Sequence, residues 1–227
     1  MNIKEFYNLA KNHFSFKLTA KQDLTLYKLS EFIIKGDNNS IFVLKGYAGT
    51  GKTTLISSLV KDIQKTGFKI VLMAPTGRAA KVMSSYSRTS AKTIHKQIYY
   101  PRAEKSGKMS FQLKNNKFKK TLFVIDEASM IGDDRENVKF FENGSLLHDV
   151  VQYVSRGEQC KLLFVGDQAQ LPPIHLNLSP ALDQEELRNF HFDQVFNVEL
   201  EEVVRQKKDS GILKNATQLR VDLSQGV

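Results

Sequence analysis

One cysteine and no tryptophan occur in 227 residues. With Cys160 alone there is no intrachain disulfide framework, which points to a reducing compartment and, for a soluble chain, the cytoplasm. No apolar run approaches the roughly 18 residues of a membrane span, so no membrane partner is expected. The opening residues, Met1-Asn2-Ile3-Lys4-Glu5-Phe6, lack the apolar core of a secretion signal. The composition excludes collagen, coiled coil and wholesale disorder, and no internal repeat is visible. Acidic residues are scarce in one stretch. Residues 61–120 hold only Asp62 and Glu104 against fifteen Lys or Arg, a local net of +13 (15 − 2) in a chain of net +9, so the remainder sums to −4. A basic block within a near-neutral chain points to a polyanionic partner such as nucleic acid, with a solvated lysine-rich loop as the alternative.

What is present is a chain long enough to bury its own core, patterned as short apolar runs separated by helical periodicity. Residues 3–16 carry apolar side chains near helical spacing. Thr19-Ala20-Lys21-Gln22 opens a second helix, and Gly36–Ser40 is a turn cluster. Strands are expected at Ile41–Leu44, Ile70–Met73, Leu122–Ile125 and Leu162–Val165, with a fifth at Val195–Leu200. Helices are expected at about Thr53 to Lys65, at Gly77 to Tyr99 with a break around Ser84–Ser90, and after the capping residue Ser145. Apolar strands alternating with helices predict an α/β fold with a parallel sheet covered by helices on both faces. Residues 99–120 break the rhythm. Met109, Phe111 and Leu113 alternate with polar residues between the turn signals Ser106-Gly107 and Asn115-Asn116, which reads as a small inserted β-hairpin.

Gly46-Tyr47-Ala48-Gly49-Thr50-Gly51-Lys52-Thr53 fits G-x-x-x-x-G-K-[ST], preceded by a strand and followed by a helix. Glycines let backbone N–H groups turn toward phosphate oxygens, and the helix N-terminus adds a favourable field. Gly46, Gly49, Thr50, Gly51, Lys52, Thr53 and Thr54 are the candidate phosphate contacts, with Lys52 reaching the terminal phosphates and the Thr53 hydroxyl ligating Mg²⁺. At the end of another strand stands Asp126-Glu127. Asp126 is the candidate Mg²⁺ carboxylate and Glu127 the candidate base for an attacking water. Such a pair alone can merely cap a helix; together with the glycine loop it points to ATP hydrolysis.

Gly166-Asp167-Gln168-Ala169-Gln170-Leu171-Pro172-Pro173 follows the fourth strand. With Asp126-Glu127-Ala128-Ser129-Met130 and Ala74-Pro75-Thr76-Gly77-Arg78-Ala79-Ala80, it resembles superfamily 1 DNA helicases of the RecD-like, 5′-to-3′ branch, over about residues 17–210. The resemblance implies a RecA-like P-loop NTPase motor domain in residues 1–98 and 121–210, with the hairpin at 99–120 as the family's strand-separating pin. It implies that Gln22 reads adenine, although Thr19-x-x-Gln22 is also a capping box. It implies that Gln170 senses the γ-phosphate with support from Asp167, and that Arg205 contacts the same group unless it pairs with Glu201 or Glu202. For DNA it nominates Pro75, Thr76, Thr93 and His95, and on the pin Tyr100, Lys105, Lys108 and Phe111. Packing is the other reading for His95 and the aromatics.

The family motor closes ATP between two RecA-like domains. Residues 211–227 are therefore expected to lead into a second RecA-like domain of a longer parent chain, and these 227 residues alone are expected to turn ATP over slowly. Implied partners are single-stranded DNA, single-strand/duplex junctions and possible nuclease or repair subunits; the cofactors are ATP and Mg²⁺. A non-motor DNA-binding subunit with the nucleotide site as a switch, and a P-loop kinase, are the competing readings. The kinase leaves the basic hairpin unexplained.

Overall fold

A computed structural model describes residues 1–37, 40–103, 109–132, 145–170, 179–190, 192 and 194–204. Its main sheet has six parallel strands in the order β3-β2-β6-β7-β1-β8. The strands are β1 (Ser40–Gly46), β2 (Lys69–Ala74), β3 (Ala91–Thr93), β6 (Thr121–Ile125), β7 (Lys161–Gly166) and β8 (Gln194–Leu200). Successive side chains of a strand point to opposite faces, and here both faces are buried. Phe42 and Leu44 of β1 join Leu122, Val124, Leu163 and Val165 in one core. Ile41 and Val43 join Phe123, Ile125, Leu162 and Phe164 in the other. The first core is covered by α1 (Ile3–Lys11), α2 (Ala20–Lys35), α3 (Lys52–Asp62) and α4 (Gly77–Ser87); the second by α5 (Ile94–Ile98), α6 (Leu146–Ser155) and α7 (Gln184–Arg188). The expected α/β class with helices on both faces is the observed one.

Local chemistry sets the element ends. Asn2 and Thr19 cap α1 and α2 with complete capping boxes, and Ser145 caps α6. The carbonyls that end α2 are met by a buried ammonium: Lys161 Nζ donates to Phe32 O at 2.7 Å and Ile33 O at 3.0 Å, and burial pulls its pKa down to about 8. Three expectations need correction. The first helix stops at Lys11, because the Asn12 and His13 amides turn back to Asn8 and Ala10. His13, Phe14 and Phe16 therefore lie beyond it. The third helix ends at Asp62 and tightens into a 3-10 turn, Ile63–Thr66. The region expected to be helical from Gly77 to Tyr99 is broken at Arg88, which sits at φ 54, and then forms the edge strand β3 before α5.

β4 (Tyr99–Ala103) and β5 (Met109–Leu113) form a separate antiparallel ribbon, with Tyr99 opposite Leu113 and Pro101 opposite Phe111. The buried Tyr99 hydroxyl donates to Asp149 of α6 at 2.6 Å, and Lys114 Nζ donates to Lys96 O and Gln97 O. The hairpin is therefore anchored at its base. Among the described residues no helix is long and apolar enough to cross a membrane.

Candidate functional site

In a parallel sheet, ligand sites form outside the carboxyl ends of the strands. β1, β7 and β6 are consecutive neighbours, so the loops that follow them meet. A cavity of about 820 Å³ lies there, lined by Gln22, Gly49, Gly51, Lys52, Thr53, Thr54, Asp126, Glu127, Asp167 and Gln170, and reaching Tyr86 and Val204. The nominated residues converge although they span nearly 150 positions of sequence.

Gly51 N-caps α3 at φ 94 with no side-chain cap, which leaves the first N–H groups of the helix to an outside acceptor. A Cβ on Gly51 would stand 2.6 Å from Gln22 Nε2, and one on Gly46 2.6 Å from Leu200 O. Only glycine fits either place. Lys52 donates to the Gly46 carbonyl and, at 3.0 Å, to the Tyr47 carbonyl. Burial draws its pKa below the ordinary value, against the pull of Asp167, Asp126 and Glu127. Three carboxylates thus act on one ammonium, an imbalance that a divalent cation would offset. Among the described residues no three His, Cys, Asp or Glu side chains form a metal cluster by themselves. The donors present, the Thr53 hydroxyl and the Asp126 carboxylate, suit a Mg²⁺ that takes its other ligands from phosphate and water.

Asp126 is fixed on both oxygens. Oδ1 accepts from the Glu127 amide at 3.0 Å, and Oδ2 accepts from the Tyr86 hydroxyl at 2.7 Å. Glu127 has left-handed backbone, φ 56, in a region that costs a non-glycine residue about 1–2 kcal/mol. Strain of this kind gathers at functional sites. Burial, then Asp126, raises the Glu127 pKa, while Gln170 and Lys52 restrain it. Gln170 also accepts from Ser129 Oγ at 2.9 Å, and Asp167 shapes the loop by accepting from the Ala169 amide. Gln22 is 3 % exposed. Its Oε1 accepts from Thr19 N, completing the capping box, and its Nε2 donates to Thr50 O at 2.9 Å. Val204 N returns to Gly49 O, which brings the chain after β8 against the glycine loop. Arg205, the next residue, lies outside the described residues, as do Leu171, Pro172 and Pro173.

The nominated strand contacts fall at the neighbouring strand ends. β2 and β3 run in register with Ala74 opposite Thr93. Thr76 and Thr93 each cap a helix, α4 and α5, by accepting from the third amide on. Pro75 joins β2 to Thr76. His95 packs with its ring centroid 5.7 Å from Tyr99 and 5.5 Å from Phe111, and burial lowers its pKa. Phe111 also faces Tyr99 at 5.5 Å; expected as an exposed stacking residue, it is instead turned inward, because its strand position shares the face of buried Leu113. The exposed ring is Tyr100, 60 % accessible, with Lys114 Nζ 5.0 Å from its centroid. Lys105 and Lys108 lie outside the described residues.

Sequence reasoning missed Tyr86 and Ser129. No local pattern marks either, since their partners lie 40 and 41 positions away.

A glycine loop between β1 and α3, an Asp-Glu pair after β6 and a glutamine after β7, all on one parallel sheet, define a P-loop nucleotide-binding domain of RecA-like type. A family model described as an AAA domain matches residues 32–225, and the chain belongs to that family. Within it, the chain is a RecD-like superfamily 1 motor domain. It is 30% identical over 141 residues to the ATP-dependent RecD2 DNA helicase of Deinococcus radiodurans, covering 61% of this chain and 17% of that protein. It is 30% identical over 196 residues to the RecBCD enzyme subunit RecD of Buchnera aphidicola, covering 77% of this chain and 29% of that one. The chain thus spans less than a third of either relative. The crystal structure of Pif1 helicase from Candida albicans shares the fold, with a TM-score of 0.56 at 21% identity over 90% of this chain and 44% of that one.

Proposed function

We propose that this chain is the ATP-binding first motor domain of an ATP-dependent DNA helicase, coupling ATP hydrolysis to movement along single-stranded DNA. The observation that carries the reading is the sheet order. It sets the ends of β1, β6 and β7 around one cavity and the ends of β2 and β3, with Thr76 and Thr93, beside it.

In this reading Gly46, Gly49, Thr50, Gly51 and Thr54 surround the phosphates with backbone and hydroxyl donors. Lys52 exchanges its two carbonyl partners for phosphate oxygens, gaining charge-assisted bonds. Thr53 and Asp126 hold Mg²⁺, which neutralises charge on the terminal phosphate when bound. Glu127, its proton affinity raised by burial, accepts the proton of the attacking water. Gln170 and Ser129 orient Glu127 and link it to the loop after β7, with Asp167 holding that loop. Gln22 braces the glycine loop through Thr50 and retains one N–H and one lone pair for adenine. Arg205 and the later half of the family motor would supply the remaining charge stabilisation. Single-stranded DNA is assigned to Pro75, Thr76, Thr93, His95 and the ribbon, where Tyr100, Lys105 and Lys108 meet bases and phosphates at a junction. Residues 99–120 then form a pin inserted in the motor domain 1–98 and 121–210.

Phosphate release from ATP, measured with and without single-stranded DNA beside Lys52→Ala, tests this. The expected result is slow release that requires Lys52 and rises with DNA. Phosphorylation of a small acceptor with no effect of DNA would overturn it.

A further inference from the structure

Tyr86 is the one cavity-lining aromatic whose hydroxyl bonds to a nominated metal carboxylate among the described residues. It stands near the C-terminal end of α4. Its backbone carbonyl accepts from Ser57 Oγ at 2.8 Å, which ties α4 to α3 one turn beyond Thr53. Its ring packs against the core beneath α3 and α4, and its hydroxyl reaches Asp126 Oδ2. Tyr86 is thereby held by three elements at once: α4 by sequence, α3 through Ser57, and the end of β6 through Asp126. Its buried phenol keeps its proton, since burial and the adjacent carboxylates raise its pKa, so it remains a donor.

The consequence for Asp126 is orientation. With Oδ1 on the Glu127 amide and Oδ2 on Tyr86, the carboxylate plane is fixed before any cation arrives. A carboxylate has about four lone-pair positions, so each oxygen retains one. Without the phenol, Oδ2 would be free to swing toward Lys52, the nearby ammonium. Helix α4 carries Thr76 as its N-cap, and its 11 residues make a rod of about 16 Å. A displacement of the N-terminal end by a bound strand is transmitted to Tyr86 with little loss, because packed helices move as units.

We propose that Tyr86 is a positioning residue that orients Asp126 for the divalent cation and, through α4, makes cation binding and strand binding at Thr76 interdependent. This rests on the functional reading above. The coupling is reciprocal by necessity: a strand that changes Mg²⁺ affinity is itself bound more or less tightly by the same factor when Mg²⁺ is present.

The test is equilibrium binding to the 227-residue chain, wild type and Tyr86→Phe, with N-methylanthraniloyl-ATP as the probe. Mg²⁺ is titrated in the absence and presence of saturating oligothymidine, and the affinity for the Mg²⁺-free nucleotide is measured separately. Removing a hydrogen bond to a metal ligand typically costs about tenfold in metal affinity. The expected result is a Mg²⁺ half-saturation about tenfold higher in Tyr86→Phe, an unchanged Mg²⁺-free affinity, and loss of the oligothymidine effect on Mg²⁺. Ser57→Ala, which frees the backbone anchor but keeps the phenol, shifts the half-saturation in the same direction by less. An unchanged Mg²⁺ half-saturation in both variants overturns the proposal. So does equal weakening with and without Mg²⁺, which is the mark of a merely structural role, and so does an oligothymidine effect that survives Tyr86→Phe. Failure of the wild type to bind the nucleotide at all would refute the functional reading itself, a result distinct from these.

Discussion

The cavity at the ends of β1, β6 and β7 and the ribbon β4–β5 solve opposite problems. In the cavity the polar groups are held before a ligand comes: Lys52 on two carbonyls, Asp126 on two donors, Gln22 on Thr19 and Thr50, Gln170 on Ser129. Charge developing on a phosphate there meets dipoles that need no reorganisation. The ribbon is held only at its base, by Tyr99, Asp149 and Lys114, and offers Tyr100 to solvent. Stacking on a base tolerates any sequence because every base has a π-face. A fixed reaction calls for the first arrangement, and a strand that must slide calls for the second.

The contrast is broken most sharply by Lys52→Ala. It should lower affinity for ATP–Mg²⁺ by about 3 kcal/mol, roughly a hundredfold, the range of a strong charge-assisted bond. DNA affinity without nucleotide, read by fluorescence anisotropy, should hold. Gly51→Ala comes next. It forces a Cβ onto a left-handed backbone 2.6 Å from Gln22 Nε2, which should cost about 2 kcal/mol, visible as a fall in thermal midpoint together with weaker nucleotide binding.

Asp149→Ala sharpens the comparison from the other side. It leaves the buried Tyr99 hydroxyl without its carboxylate. A loss of about 1–2 kcal/mol is expected, with hydrogen exchange faster in 99–113 than around 46–53. Exchange that rises equally in both regions would mean that the ribbon and the cavity form one cooperative unit. Tyr100→Ala should weaken single-stranded DNA by about 1 kcal/mol and leave the thermal midpoint in place.

The smallest effect concerns Lys161. Its folded pKa, about 8, lies below the ordinary lysine value. As pH rises from about 8 to about 10, the folded state gives up the proton before the unfolded state does. The unfolded chain then binds more protons, and stability rises with pH. Wild type should therefore gain on Lys161→Met across that window in denaturant titrations; a constant difference would show that the pKa is ordinary.

The same contrast explains what could be read in advance. The cavity was legible because phosphate chemistry needs particular residues at fixed spacing within one turn, as in 46–53, and because strand-end loops converge in any parallel sheet. The four fully apolar strands β1, β2, β6 and β7 declared their burial on both faces. β3 was not legible: Ala91-Lys92-Thr93 is a three-residue polar edge, too short for a period. Alternation in 109–113 revealed two faces of a strand but not which one meets the core, so Phe111 was expected outside. Tyr86 and the Tyr99–Asp149 pair depend on contacts across 40 and 50 positions, which no local pattern encodes. Thr19-x-x-Gln22 carried two meanings at once. The structure displays the capping box, with the same amide reaching the glycine loop.

The most direct measurement is the equilibrium affinity of the chain for ATP–Mg²⁺ with and without single-stranded DNA, beside Lys52→Ala. The account predicts saturable one-to-one binding that DNA tightens and that Lys52→Ala removes. Nucleotide binding that survives Lys52→Ala, or nucleotide and DNA that bind with no influence on each other, would contradict it.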